Sequence, residues 1–134
     1  ALPICRNYKL LTSIKGVGPI TAIVMLCSTL NFTKITDHRK FACYCGLAPF
    51  EHSSGTSVRG GCHTSSMANR DIKVQLNRSA LIAIRCDPQL KAYYERKVAE
   101  GKHKFSVLNA VRAKIAARCF AVVRRGTPYV ALQI

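Results

Sequence analysis

Apolar residues recur at helical spacing along most of the chain, and glycine and proline mark the breaks between the runs. Ile4, Tyr8, Leu11 and Ile14 share one helical face, and the pattern predicts a short first helix that stops near Ser13. After a Gly-Val-Gly turn, PITAIVMLCSTL is apolar on nearly every side. That predicts a second, largely buried helix with Pro19 in its first turn, where the missing N–H costs nothing. TDHRKFACYCGLAP predicts a third short helix, capped by Thr36 or Asp37, ended by Gly46 and blocked by Pro49.

The periodicity then fails. Phe50 to Ser66 reads FEHSSGTSVRGGCHTSS, with three glycines, five serines and two threonines among almost no apolar residues. This predicts a long Gly/Ser loop with a short hairpin around Thr56 to His63, and a loop of this length in a compact domain usually carries function or is disordered.

Helical spacing returns with Ile72, Leu76, Ala80 and Ile84, while Arg70, Lys73, Arg78 and Arg85 fall mostly off that stripe. The next segment has Asp87 as cap, Pro88 in the first turn and Gly101 at the end. A last helix sets Leu108, Val111, Ile115, Cys119 and Val122 on one face, with Ser106 near its start and Gly126 after its end. The expected fold is all-α: about six helices around one core, forming a single domain over residues 1–134. The opening helix pair covers about 4–30, the serine-rich loop about 46–66 and a basic helical part 67–126.

Charge narrows the partner. Lys and Arg number 21 against 6 Asp and Glu, a net charge of +15. Such an excess points to a polyanion, since each phosphate neutralised releases counterions. No apolar run reaches the roughly 20 residues of a membrane span and no signal-peptide pattern opens the chain, so no membrane role is expected. Seven cysteines, an odd number mostly within helical segments, suit small apolar positions in a reducing cytoplasm. Cys43, Cys45, Cys62 and His63 could in principle ligate zinc, but their spacing matches no common pattern and no metal site is expected. Asp37, Glu51, Asp71, Asp87, Glu95 and Glu100 are scattered, so the chain shows no carboxylate set for two-metal phosphoryl transfer.

The stretch SIKGVGPITA lies between the first two helices and forms a helix-hairpin-helix pattern. Its turn amides and the second helix's N-terminus would converge on a phosphate, contacting the nucleic-acid backbone without reading sequence. Gly16, Val17 and Gly18 would supply the amides and Lys15 a cation. The plainer reading is a turn between packed helices.

In the loop, Ser53, Ser54 and Gly55 precede Arg59. A serine hydroxyl needs an activating base, metal or electropositive setting, which Arg59, His52 and His63 could provide. Residue type and spacing alone leave these serines indistinguishable from linker.

FACYCGLAPFEHSSGTSVRGG resembles the F…YxGLxP…SG segment of the Piv/MooV-related insertion-sequence transposases, the IS-one-ten type, in their C-terminal transposase domain. The resemblance runs from about Tyr8 to Val130. It implies a DNA recombinase whose separate N-terminal RuvC-like domain binds Mg²⁺ through a DEDD carboxylate set. It also implies a C-terminal domain whose serine forms a covalent phosphoserine intermediate, a guiding bridge RNA, and work as a homo-oligomer. On that basis Ser54 is the catalytic serine, with Ser53 an adjacent rival, and Lys15, Gly16, Val17, Gly18, Arg59, Lys73 and Arg78 contact nucleic acid. Where many members carry ISKxGN, this chain reads HTSSMAN, with Ala68 in place of the glycine. That departure touches individual contacts after the loop. The chain is expected to be an excised piece, without its own cofactor, that binds nucleic acid but cannot recombine DNA alone. It would act in the bacterial cytoplasm, at the nucleoid. The competing reading is a helix-hairpin-helix nucleic-acid-binding module with no chemistry; tolerance of alanine at Ser54 separates the two.

Overall fold

The computed structural model describes residues 3–45 and 66–130. Six helices make up its regular structure: α1 (Pro3–Thr12), α2 (Pro19–Ser28), α3 (His38–Tyr44), α4 (Ser66–Cys86), α5 (Pro88–Ala99) and α6 (Lys104–Arg125). The described residues contain no strand, in keeping with the all-α expectation. None of these helices is long and apolar enough to cross a membrane.

Helix α4 holds the bundle together, packing on α2, α5 and α6, while α1 joins α2 to α6 and α3 rests on α6. One apolar cluster unites them. Ile72, Leu76, Ala80 and Ala83 of α4 meet Val111, Ile115, Cys119 and Val122 of α6, with Leu11, Ile14, Met25 and Phe41 closing the sides. The last-helix face read from periodicity is buried in full. On α4 the buried stripe turns from Ala80 to Ala83 and leaves Ile84 half-buried, because a 3.6-residue period drifts off a strict four-residue spacing.

Local chemistry explains the helix ends. Asp37 starts α3 by accepting from the Arg39 amide at 3.1 Å, and Asp87 starts α5 by accepting from Gln89 at 2.9 Å and Leu90 at 3.4 Å. Helix α6 starts two residues before Ser106, close to the expected place, and His103 caps it, its Nδ1 accepting from the Phe105 amide at 3.2 Å. Gly126 closes α6 in the left-handed conformation. Gly46 and Pro49 lie outside the described residues.

Two packing expectations are corrected. Helix α2 buries only Thr21, Ala22, Met25 and Leu26, leaving Ile20 and Ile23 exposed, because it contacts α1 and α4 on one side only. Cysteines are also less buried than read: among the described residues Cys45 and Cys119 are buried, whereas Cys5, Cys27, Cys43 and Cys86 are exposed.

After α2 the chain passes through Leu30, Asn31 and Phe32, all at positive φ. Each such residue costs about 1–2 kcal/mol, so the turn needs support. Thr29 Oγ1 donates to the Met25 carbonyl at 2.7 Å and accepts from the Phe32 amide at 2.9 Å. Asn7 Nδ2 donates to Asn31 Oδ1 at 2.7 Å, and Phe32 sets its ring edge-on to Phe120, 4.9 Å between centres.

Candidate nucleic-acid interface

The connection from α1 to α2 is tightly wound. Ser13, Ile14 and Val17 amides donate to the Leu10, Leu11 and Ile14 carbonyls, and Ile14 and Val17 drive their side chains into the core. Lys15, between those anchors, is exposed. Ser13 Oγ also accepts from the Tyr129 amide at 2.8 Å, tying the segment after α6 to this turn.

The two glycines do different work. Gly16 has φ +96°, and a Cβ there would stand 2.7 Å from the Ser79 carbonyl oxygen and 3.1 Å from Ala83 Cβ. Its missing side chain lets the turn press against α4. Gly18 instead faces open space, with no atom within 4 Å of where a Cβ would stand. It caps α2 in an extended conformation with no side-chain acceptor, followed by Pro19 at the first helical position. The first turn of α2 contains no acidic residue. An uncapped helix end, open Gly18 and exposed Lys15 thus lie together and carry positive potential.

One detail changes the expected amide set. The Val17 N–H already donates to the Ile14 carbonyl at 3.0 Å, so a phosphate here would rely on Gly18 and the amides after Pro19 rather than on Val17.

Lys73 and Arg78 are both exposed on α4. Five residues apart, they point about 140° from one another around the axis at 3.6 residues per turn, so they do not form one patch. Arg70, Arg78 and Arg85, all exposed, fall within roughly 80° of each other. Arg70 and Arg85 therefore share a face with Arg78, a relation visible in the sequence as arginines recurring at near-multiples of the helical repeat. Lys73 faces the end of α3. Burial pushes the Cys45 thiol up to about 12, and the Lys73 charge pulls it partly back. Ser54 and Arg59 lie outside the described residues, in the segment that leaves after Cys45 and returns at Ser66.

The remaining electrostatics are structural. Asp87 is buried; burial raises its pKa, but the hydrogen bond and charge of Arg118, with the Leu90 and Gln89 amides, outweigh this and hold it below the usual carboxylate value. Arg118 meets it at 2.7 Å. On α6, burial lowers the pKa of the half-buried Arg112, and among the described residues no acceptor meets its Nε. No three His, Cys, Asp or Glu side chains among the described residues converge on a metal-sized site, so the Mg²⁺ implied by the resemblance finds no fit among them; Cys62 and His63 lie outside.

The described residues thus form a basic bundle of six helices. Residues 8–95 match the Transposase IS116/IS110/IS902 family, a stretch running from α1 to within α5, and the chain belongs to that family. It is 39% identical over 120 residues to an insertion element IS110 protein of Streptomyces coelicolor, covering 89% of this chain and 29% of that protein. It is 26% identical over 126 residues to the pilin gene-inverting protein of Moraxella lacunata, covering 92% and 39%. An insertion element IS900 protein of Mycobacterium paratuberculosis is 30% identical over 112 residues, covering 82% and 28%. The chain thus spans well under half the length of these relatives.

Proposed function

We propose that this chain grips DNA backbone through its α1–α2 hairpin and carries the serine nucleophile of a transposase, Ser54, on the segment joining α3 to α4. The observation that carries the grip is the open, uncapped start of α2 at Gly18 with Lys15 beside it. Helix N-termini of this kind bind phosphate because their N–H groups lack partners and their dipole favours negative charge. Such contacts set position on the duplex and leave sequence to be chosen by something else, a role that a guide RNA fills in this reading.

For the chemistry, Ser54 Oγ attacks the scissile phosphorus. A phosphoserine diester forms, the bond to the departing deoxyribose oxygen breaks, and the serine proton passes to a base. Support comes from the SG motif within the family match and from the charge around the segment's ends, where Lys73 and Arg70 stand near its exit and return. In this reading, as the family resemblance implies, divalent-metal chemistry belongs to a separate RuvC-like domain of a longer protein, which would act as an oligomer in the bacterial cytoplasm.

The grip is tested by Gly18→Val, which the open space at Gly18 accommodates while covering the α2 amides. DNA affinity should fall with the melting temperature unchanged. Unchanged affinity with an intact fold would contradict the assignment.

A further inference from the structure

A groove of about 850 Å³ runs between α5 and α6, far larger than a single small anion requires. Its walls include Tyr93 and Arg96 from α5 and Lys114 and Arg118 from α6, with no acidic side chain among them. Lys114 Nζ stands 4.6 Å from the centre of the Tyr93 ring and Arg96 Cζ 5.7 Å from it. Both distances fall within the range where a cation is held by an aromatic ring. Two like charges are thus drawn to one ring.

Among the described residues, no carboxylate is ion-paired with either cation. The ion pairs among the described residues are Lys97 with Glu100 and Arg118 with Asp87. Arg118 is therefore spent on the buried carboxylate, while Arg96 and Lys114 carry uncompensated charge into the groove. Tyr93 is the positioning residue: it orders two flexible cationic side chains before any ligand arrives, which lowers the entropic cost of binding.

We infer that the α5–α6 groove is a second seat for nucleic-acid backbone, in which Arg96 and Lys114 hold phosphates on a Tyr93 platform. It shares no lining residue with the hairpin, and α4 packs on both α2 and α5, between the two. One strand following both would touch two faces of the bundle. The inference rests on the reading that this chain binds nucleic acid, and the choice of phosphodiester follows from the +15 net charge and the acid-free groove.

The test is fluorescence anisotropy with a labelled DNA duplex and an RNA stem of the same sequence, at several salt concentrations. The double variant Arg96→Gln/Lys114→Gln should bind about tenfold more weakly at low salt and lower the slope of log affinity against log salt by about 2, one per lost phosphate contact. The charge-preserving pair Arg96→Lys/Lys114→Arg should keep the slope, which separates lost contacts from lost fold. Tyr93→Leu should weaken affinity while leaving the slope within one unit. Loss on DNA alone, RNA alone or both identifies which backbone sits there. Wild-type binding with an unaltered slope in the double variant overturns the groove and leaves the hairpin reading standing. No wild-type binding to either probe overturns both.

Discussion

Gly16 lies directly against the backbone of Ser79, so that a single added methyl would sit 2.7 Å from the Ser79 carbonyl oxygen. The same serine's hydroxyl lies 3.0 Å from Thr21 Oγ1, a buried contact between α2 and α4. The α1–α2 connection is therefore seated on Ser79 of α4 twice, at its turn through Gly16 and in the first turn of α2 through Thr21. Gly16→Ala should destabilise the fold by about 2 kcal/mol or more, combining the cost of positive φ with displacement of α4. Gly18→Ala, at an extended position with open space, should change stability by less than about 0.5 kcal/mol. Urea melts of the two variants check this; equal losses would place both glycines in the same structural role.

Arg118 and Asp87 give the fold a pH dependence of known sign. The folded-state pKa of Asp87 lies below its ordinary 3.8. Its contribution is therefore fully present above that ordinary value and lost as pH falls through the lowered one. Asp87→Asn should lessen the loss of stability between about pH 5 and pH 2. Arg118→Gln, which strands a buried carboxylate still held by two amides, should cost about 2 kcal/mol at neutral pH. An acid transition identical in wild type and Asp87→Asn would contradict the linkage.

Cysteine reactivity should divide sharply. Cys45 and Cys119 are buried, with thiols pushed up to about 12 by that burial. Cys5, Cys27, Cys43 and Cys86 are exposed. Alkylation of the native protein near pH 8 should label those four and spare Cys45 and Cys119 until denaturant is added. Peptide mass mapping reads the result, and early labelling of Cys119 would mean that the core opens readily.

What could be read from the chain, and what could not, follows the range of each interaction. Asp87, Pro88 and the α5 boundary were legible because a cap and its helix are neighbours in sequence. So was the buried face of α6, whose spacing is its own signal. Gly16 carries the opposite lesson. Its glycine was legible, but the reason for it is a contact with α4, which no local pattern carries. The exposed Ile20 and Ile23, and the meeting of Arg96 and Lys114 over Tyr93, likewise depend on how helices pack. Of the candidate site, Lys15 is exposed and Gly18 faces open space. Val17 has its amide engaged, Lys73 and Arg78 point apart, and Ser54 and Arg59 fall outside the described residues.

Binding itself should be steeply salt-dependent. With +15 on the chain, affinity for duplex DNA should drop by about tenfold or more between 50 and 200 mM salt, each phosphate contact adding about 0.9 to the slope. Lys15→Gln should lower that slope by about one. A flat titration would contradict phosphate-dominated contact.

The central claim is chemical, and one gel addresses it. The full-length protein would be incubated with guide RNA, Mg²⁺ and its DNA, then denatured and run as wild type, Ser53→Ala and Ser54→Ala. The account predicts a covalent protein–DNA adduct in wild type and Ser53→Ala that disappears in Ser54→Ala. An adduct that survives Ser54→Ala would contradict it and place the nucleophile elsewhere.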